Sequence, residues 1–103
     1  MELTYEDSGT ERSVPVGERI ELRLPENPTT GFRWQVAGLP VELQQIEDRY
    51  EGAEQPRGAG GHRTIGFEAL RPGDVTLHLE KRRSWEQDPT DRFTVQLRVS
   101  PID

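Results

Sequence analysis

The stretch Ile20-Glu21-Leu22-Arg23-Leu24-Pro25-Glu26-Asn27-Pro28-Thr29-Thr30-Gly31-Phe32-Arg33-Trp34-Gln35-Val36 sets two alternating runs on either side of a polar turn. Ile20, Leu22 and Leu24 alternate with Glu21 and Arg23; Phe32, Trp34 and Val36 alternate with Arg33 and Gln35. A period of two puts every second side chain on one face, the mark of a half-buried strand. Between the runs, Pro28 fixes its own φ and holds Asn27 extended. Thr29 and Thr30 are stiff at χ1, and Gly31 can take the positive φ that returns the chain to a strand. The connection 27–32 therefore has little freedom to lose on docking, which suits it to binding. Most turn-rich sequence is only turn, so that reading depends on the rest of the chain.

Working outward, the same period recurs. Residues 2–6 form a short strand candidate closed by Asp7-Ser8-Gly9, and Pro15 marks the run around Val14 and Val16 as an edge strand. Gly38-Leu39-Pro40 ends the strand 32–37. In 41–50, Val41 and Leu43 share a face that Ile46 leaves, which calls for a bulge near Gln44-Gln45 rather than a helix. The loop 51–61 is rich in glycine. Strands follow at Ile65-Phe67-Ala69 and Val75-Leu77-Leu79, with Arg71-Pro72-Gly73-Asp74 as the turn between them. After a polar loop at 83–91, Phe93, Val95, Leu97 and Val99 alternate most cleanly of all. No segment has a period of 3.6. The prediction is all-β: one domain over 1–103, an immunoglobulin-like antiparallel β-sandwich of seven to eight strands.

Composition narrows the function. The net charge is −6, which disfavours nucleic acid as a partner. There is no cysteine, hence no disulfide, thiolate metal site or thiol nucleophile. The first residues lack the basic and apolar regions of a signal peptide, and no apolar run is long enough to cross a membrane. The expected location is cytoplasmic, or secreted or periplasmic if a leader has been removed. Enzyme chemistry is not expected. His62 and His78 are the only histidines, and if 62–70 and 74–82 form a hairpin, His78 lies opposite Gly66 or Phe67 and far from His62. No third metal ligand is evident, the carboxylates are scattered, and no cofactor is expected.

Parity then gathers the long loops. In an antiparallel sandwich, successive connections alternate between the two ends. The connections 25–31, 51–61 and 83–91 fall at one end, and the short turns 38–40 and 71–73 at the other. Long structured loops on one edge point to a binding surface. The second loop carries Gly58-Ala59-Gly60-Gly61, which allows close main-chain approach. The third carries Arg83-Ser84-Trp85, and Arg and Trp are frequent interface hot spots.

In this order the three loops resemble those of the chagasin-like inhibitors of papain-family cysteine peptidases. Asn27-Pro28-Thr29-Thr30-Gly31-Phe32 fits that family's first motif in full, and Gly58, Gly60 and Gly61 fit its Gly-x-Gly-Gly second motif. Arg83 and Trp85 fit its Arg-Pro-Trp third motif, with Ser84 where the family has proline. The resemblance implies a reversible inhibitor whose partner is a papain-like peptidase, and a monomer is expected. Thr29, Thr30 and Gly31 would enter the active-site cleft, Gly58–Gly61 would run beside it, and Trp85 with Arg83 would rest on the opposite lip. Ser84 leaves the third loop less constrained than a proline would. The alternative is a non-inhibitory immunoglobulin-like module that binds another protein or a sugar through the same edge. Trp85 separates the two, since an inhibitor needs it exposed beside Thr30 and a structural module would bury it.

Overall fold

The computed structural model describes residues 1–52 and 60–102. Strands β1 (Glu2–Thr4), β2 (Glu11–Pro15), β3 (Arg19–Glu26), β4 (Phe32–Val36), β5 (Leu43–Gly52), β6 (Gly61–Ala69), β7 (Gly73–Arg83) and β8 (Asp91–Ser100) form two four-stranded sheets. Their orders are β1-β3-β6-β5 and β2-β8-β7-β4. The only helical pieces among the described residues are two 3-10 turns, Tyr5–Asp7 and Pro28–Thr30. The all-β sandwich expected from the alternation is the observed fold.

Strands β3, β7 and β8 bury the face their period predicts. Ile20, Leu22 and Leu24 of β3 and Ile65 and Phe67 of β6 meet Leu77 and Leu79 of β7 and Phe93, Val95 and Leu97 of β8 in one shared core. Burying side chains of this size is worth roughly 1.5–3 kcal/mol each, which sets the register against slippage. Trp34 also lies in this core, Val36 packs half-buried against it, and Phe32 is half-buried.

Local expectations change at four points. The strand expected over 2–6 stops at Thr4, where the chain turns into the 3-10 segment Tyr5–Asp7. The bulge in β5 is present, between Gln45 and Glu47, but it does not turn Ile46 inward. Ile46 is the extra residue and stays exposed, as does Val41, which precedes the strand. Between β4 and β5 the chain runs through 37–42, a longer connection than the expected 38–40. Nor do 62–70 and 74–82 form a hairpin. β6 and β7 belong to opposite sheets, and His78 pairs with Thr94 of β8, its Nδ1 2.9 Å from the Thr94 hydroxyl.

The N-terminal segment adds something the pattern did not show. β1 pairs parallel with β3, and β2 pairs parallel with β8, so residues 1–15 contribute an edge to each sheet. Pro15 sits on such an edge, where its missing N–H costs no ladder bond. The 3-10 turn between the two strands is capped by Asp7, which accepts from the Thr4 amide at 2.8 Å and pairs with Arg12 at 2.5 Å. The Thr4 amide, with help from Arg12, holds the Asp7 carboxyl below its ordinary pKa despite partial desolvation.

Candidate functional site

Strand pairings place the three long connections together. Glu26 at the end of β3 and Gly52 at the end of β5 both pair with Gly61 at the start of β6. Phe32 opens β4 opposite Arg83, and the β7–β8 ladder ends at Lys81 and Asp91. The strand ends that bound the connections 27–31, 53–60 and 84–90 therefore lie at one end of the sandwich, as parity required.

The first loop is held by its own hydrogen bonds. The Asn27 side-chain oxygen accepts from the Thr29 amide (3.1 Å) and hydroxyl (2.7 Å), and the Asn27 carbonyl accepts from the Thr30 amide (3.2 Å) and hydroxyl (2.7 Å). Asn27 thus makes an Asx turn that winds Pro28–Thr30 into a 3-10 turn. Gly31 follows at φ +82°, the left-handed conformation its place in the sequence called for. Thr29 and Thr30 are exposed, but both hydroxyl protons are committed inside the loop. What the loop presents outward is backbone and methyl groups rather than hydroxyl donors.

The third loop leans on the first. Arg83 Nε donates to the Thr30 carbonyl at 3.2 Å, and the guanidinium lies 4.3 Å from the centre of the Phe32 ring. Trp85 is 71% exposed, yet the tip of its ring is so near Gly31 that a Cβ there would stand 3.1 Å from Cη2. Residues 83–86 form a β-turn in which the Glu86 amide donates to the Arg83 carbonyl at 3.2 Å, and the two side chains pair at 3.1 Å. The turn therefore presents Trp85 to solvent on a braced base.

For the second loop, Gly58 lies outside the described residues. Gly60 has φ +80° and touches the first loop, where an added Cβ would stand 3.1 Å from Asn27 Cβ. A Cβ on Gly61 would run into the Glu51 carbonyl oxygen and come within 2.7 Å of Gly52 Cα. Gly61 is thus required by the chain's own strand β5, independently of any partner.

Sequence reasoning passed over a buried ionic cluster beneath these loops. The Glu26 side chain is fully buried, its Oε1 accepting from the Trp34 amide at 2.7 Å. Arg63 Nε donates to both carboxylate oxygens (3.0 and 2.9 Å), and Arg63 Nη2 lies 2.9 Å from Oε2. Arg63 Nη1 reaches Asp48 at 2.7 Å. Burial alone would lower the Arg63 pKa, but the bonds to Glu26 and Asp48 outweigh it and raise it. The Trp34 indole N–H donates to the Pro25 carbonyl at 2.8 Å, closing the same corner. Removing one partner from such a pair costs about 3–5 kcal/mol, because a bare charge is left inside. An acidic residue at a strand end reads as solvent-facing, and its basic partner lies 37 positions away; nothing local marks the pair.

Residues 13–99 match the chagasin family peptidase inhibitor I42. The chain belongs to the chagasin family. This is a family of peptidase inhibitors and not of enzymes, and the match takes in all three loops. Chagasin of Trypanosoma cruzi is 31% identical over 106 residues, covering 95% of this chain and 96% of that protein. Amoebiasin-1 of Entamoeba histolytica is 32% identical over 103 residues, covering 96% and 99%. Among solved structures, the cysteine protease inhibitor EhICP2 of Entamoeba histolytica superposes with a TM-score of 0.84 over 95% of this chain and 92% of that one. At 21% identity that likeness establishes the chagasin-family sandwich as the fold.

Proposed function

We propose that this chagasin-family protein is a reversible, non-covalent inhibitor of papain-family cysteine peptidases that docks by its three-loop edge. The observation that carries the reading is the placement of Trp85: 71% exposed, yet supported against Gly31 beside Thr30. A large aromatic presented at a surface on a closed turn gives contact area at reduced ordering cost, the usual character of an interface hot spot. A structural module would bury it.

In this scheme Thr29–Gly31 enter the peptidase cleft and exclude substrate with a preformed turn. Both threonine hydroxyls of the turn donate to Asn27, and the turn acts by occupying the cleft rather than by chemistry. Trp85 rests on one lip of the cleft, and Gly60 with Gly61 brings main chain to the other. Arg83 has a bracing part. Its guanidinium is already engaged with the Thr30 carbonyl and the Phe32 ring, so it fixes the spacing between first and third loops.

The test is titration of papain with the intact protein, following hydrolysis of a small fluorogenic substrate. The expected result is competitive inhibition that reverses fully on dilution, with the inhibitor recovered uncleaved. Absence of inhibition across several papain-family enzymes, by protein shown to be folded, would overturn the reading.

A further inference from the structure

We propose that Glu26 is the positioning residue of the first loop and acts through the Trp34 amide. Its effect on affinity rests on the inhibitor reading above; its effect on loop geometry belongs to the free protein. The two stems of the loop, β3 and β4, lie in opposite sheets, so no backbone ladder fixes the distance between them. In β4 and its continuation the odd-numbered amides face β7, as the Ala37 N–H donating to the His78 carbonyl at 2.8 Å shows. Trp34 has the other parity and turns its N–H to the open edge of the sheet, where Glu26 Oε1 receives it at 2.7 Å. Glu26 directly precedes Asn27, which winds the turn, and Trp34 stands two residues beyond Phe32. One carboxylate therefore ties the residue before the loop to the strand after it.

The same carboxylate has a second set of bonds with a different consequence. Arg63, on β6, holds it through Nε and Nη2 and neutralises its charge in the interior. The Arg63 pair bears on the stability of the whole domain, and the Trp34 bond bears on the separation of the loop stems. An uncharged side chain of equal length separates these roles: Glu26→Gln keeps an oxygen for the Trp34 amide but loses the ion pair, and Glu26→Ala loses both.

The experiment measures three things on wild type, Glu26→Ala and Glu26→Gln: melting temperature, amide hydrogen exchange in the free protein, and inhibition of papain. Glu26→Ala is expected to speed exchange over 29–34 and weaken inhibition about tenfold or more, as expected for one lost charge-assisted hydrogen bond. Glu26→Gln is expected to melt lower than wild type yet retain slow exchange at Trp34 and inhibition within about threefold. If both variants lose affinity in step with melting temperature, or if Glu26→Ala inhibits as wild type does, the inference is overturned. Should Glu26→Ala not fold, Glu26→Gln decides alone, with slow exchange at Trp34 supporting the inference and fast exchange overturning it. Wild type that fails to inhibit papain sinks the inhibitor reading instead, and the exchange comparison still decides the role of Glu26.

Discussion

Single residues at the loop edge divide by whom they serve. Trp85 touches its own chain lightly and stands in solvent, so Trp85→Ala is expected to leave the melting temperature nearly unchanged. Its cost should appear in papain affinity, at about 2 kcal/mol or more, measured by inhibition titration beside thermal denaturation. Gly61 is the reverse case. Alanine there collides with the β5 backbone at Glu51 and Gly52, so Gly61→Ala is expected to lower unfolding free energy by about 1–3 kcal/mol in denaturant titration. Loss of affinity in that variant is expected to follow its loss of stability, because the added methyl meets β5 in the free protein. The sequence showed that Trp85 and Gly61 were unusual, because a tryptophan in a polar loop and adjacent glycines are visible in one dimension. It could not show which of them answered to a partner, since that depends on an atom of β5 ten residues away. Glu26 was less legible still. Its environment is built by Arg63, Asp48 and Trp34 from three other strands, and a charged residue after a proline carries no sign of burial.

At the scale of elements, the third loop is a short turn with two closures: the Glu86 amide to the Arg83 carbonyl, and the Arg83–Glu86 ion pair. Ser84 occupies its second position, where proline pre-sets the needed φ. Ser84→Pro is therefore expected to raise stability by about 0.4–1 kcal/mol and tighten papain inhibition comparably, because the unbound loop has less freedom to lose. Unchanged affinity on titration would mean that the two existing closures already hold the turn. The capped crossover between β1 and β2 gives a pH dependence. The Asp7 carboxyl titrates below its unfolded value, so its stabilising effect is complete above the ordinary carboxylate range and fades as pH falls through the folded value. Wild type should exceed Asp7→Asn in stability at neutral pH, and the gap should close on acidification below about pH 4; parallel denaturant titrations at both pH values measure it. Element reading from sequence succeeded where alternation was strict, in β3, β4, β7 and β8. It faltered at 37–46, where Val41 and Ile46 are apolar but lie outside the core, so that pattern alone had no means to place them.

For the whole molecule, parity proved a stronger guide than composition: knowing only that strands alternate in direction was enough to bring three loops to one end. The parallel attachment of β1 and β2 was hidden, because both strands are short and their partners are chosen by which edges the rest of the chain leaves open. The sheet orders have a kinetic consequence. Of the hydrogen-bonded neighbours, only β5–β6 and β7–β8 are consecutive in sequence; β3–β6 and β4–β7 join distant segments. Two hairpins can form early from local contacts, while β3 and β4 must be recruited across long stretches of chain, which places refolding on the millisecond-to-second scale. The stems of the first loop are these late arrivals, and Trp85 has nothing to lean on until Gly31 is delivered. In a stopped-flow refolding experiment, papain-inhibiting capacity should therefore emerge with the slowest phase, after strand signal has largely recovered. A chain caught midway would carry two of its loops at hairpin ends and still be inert toward the enzyme.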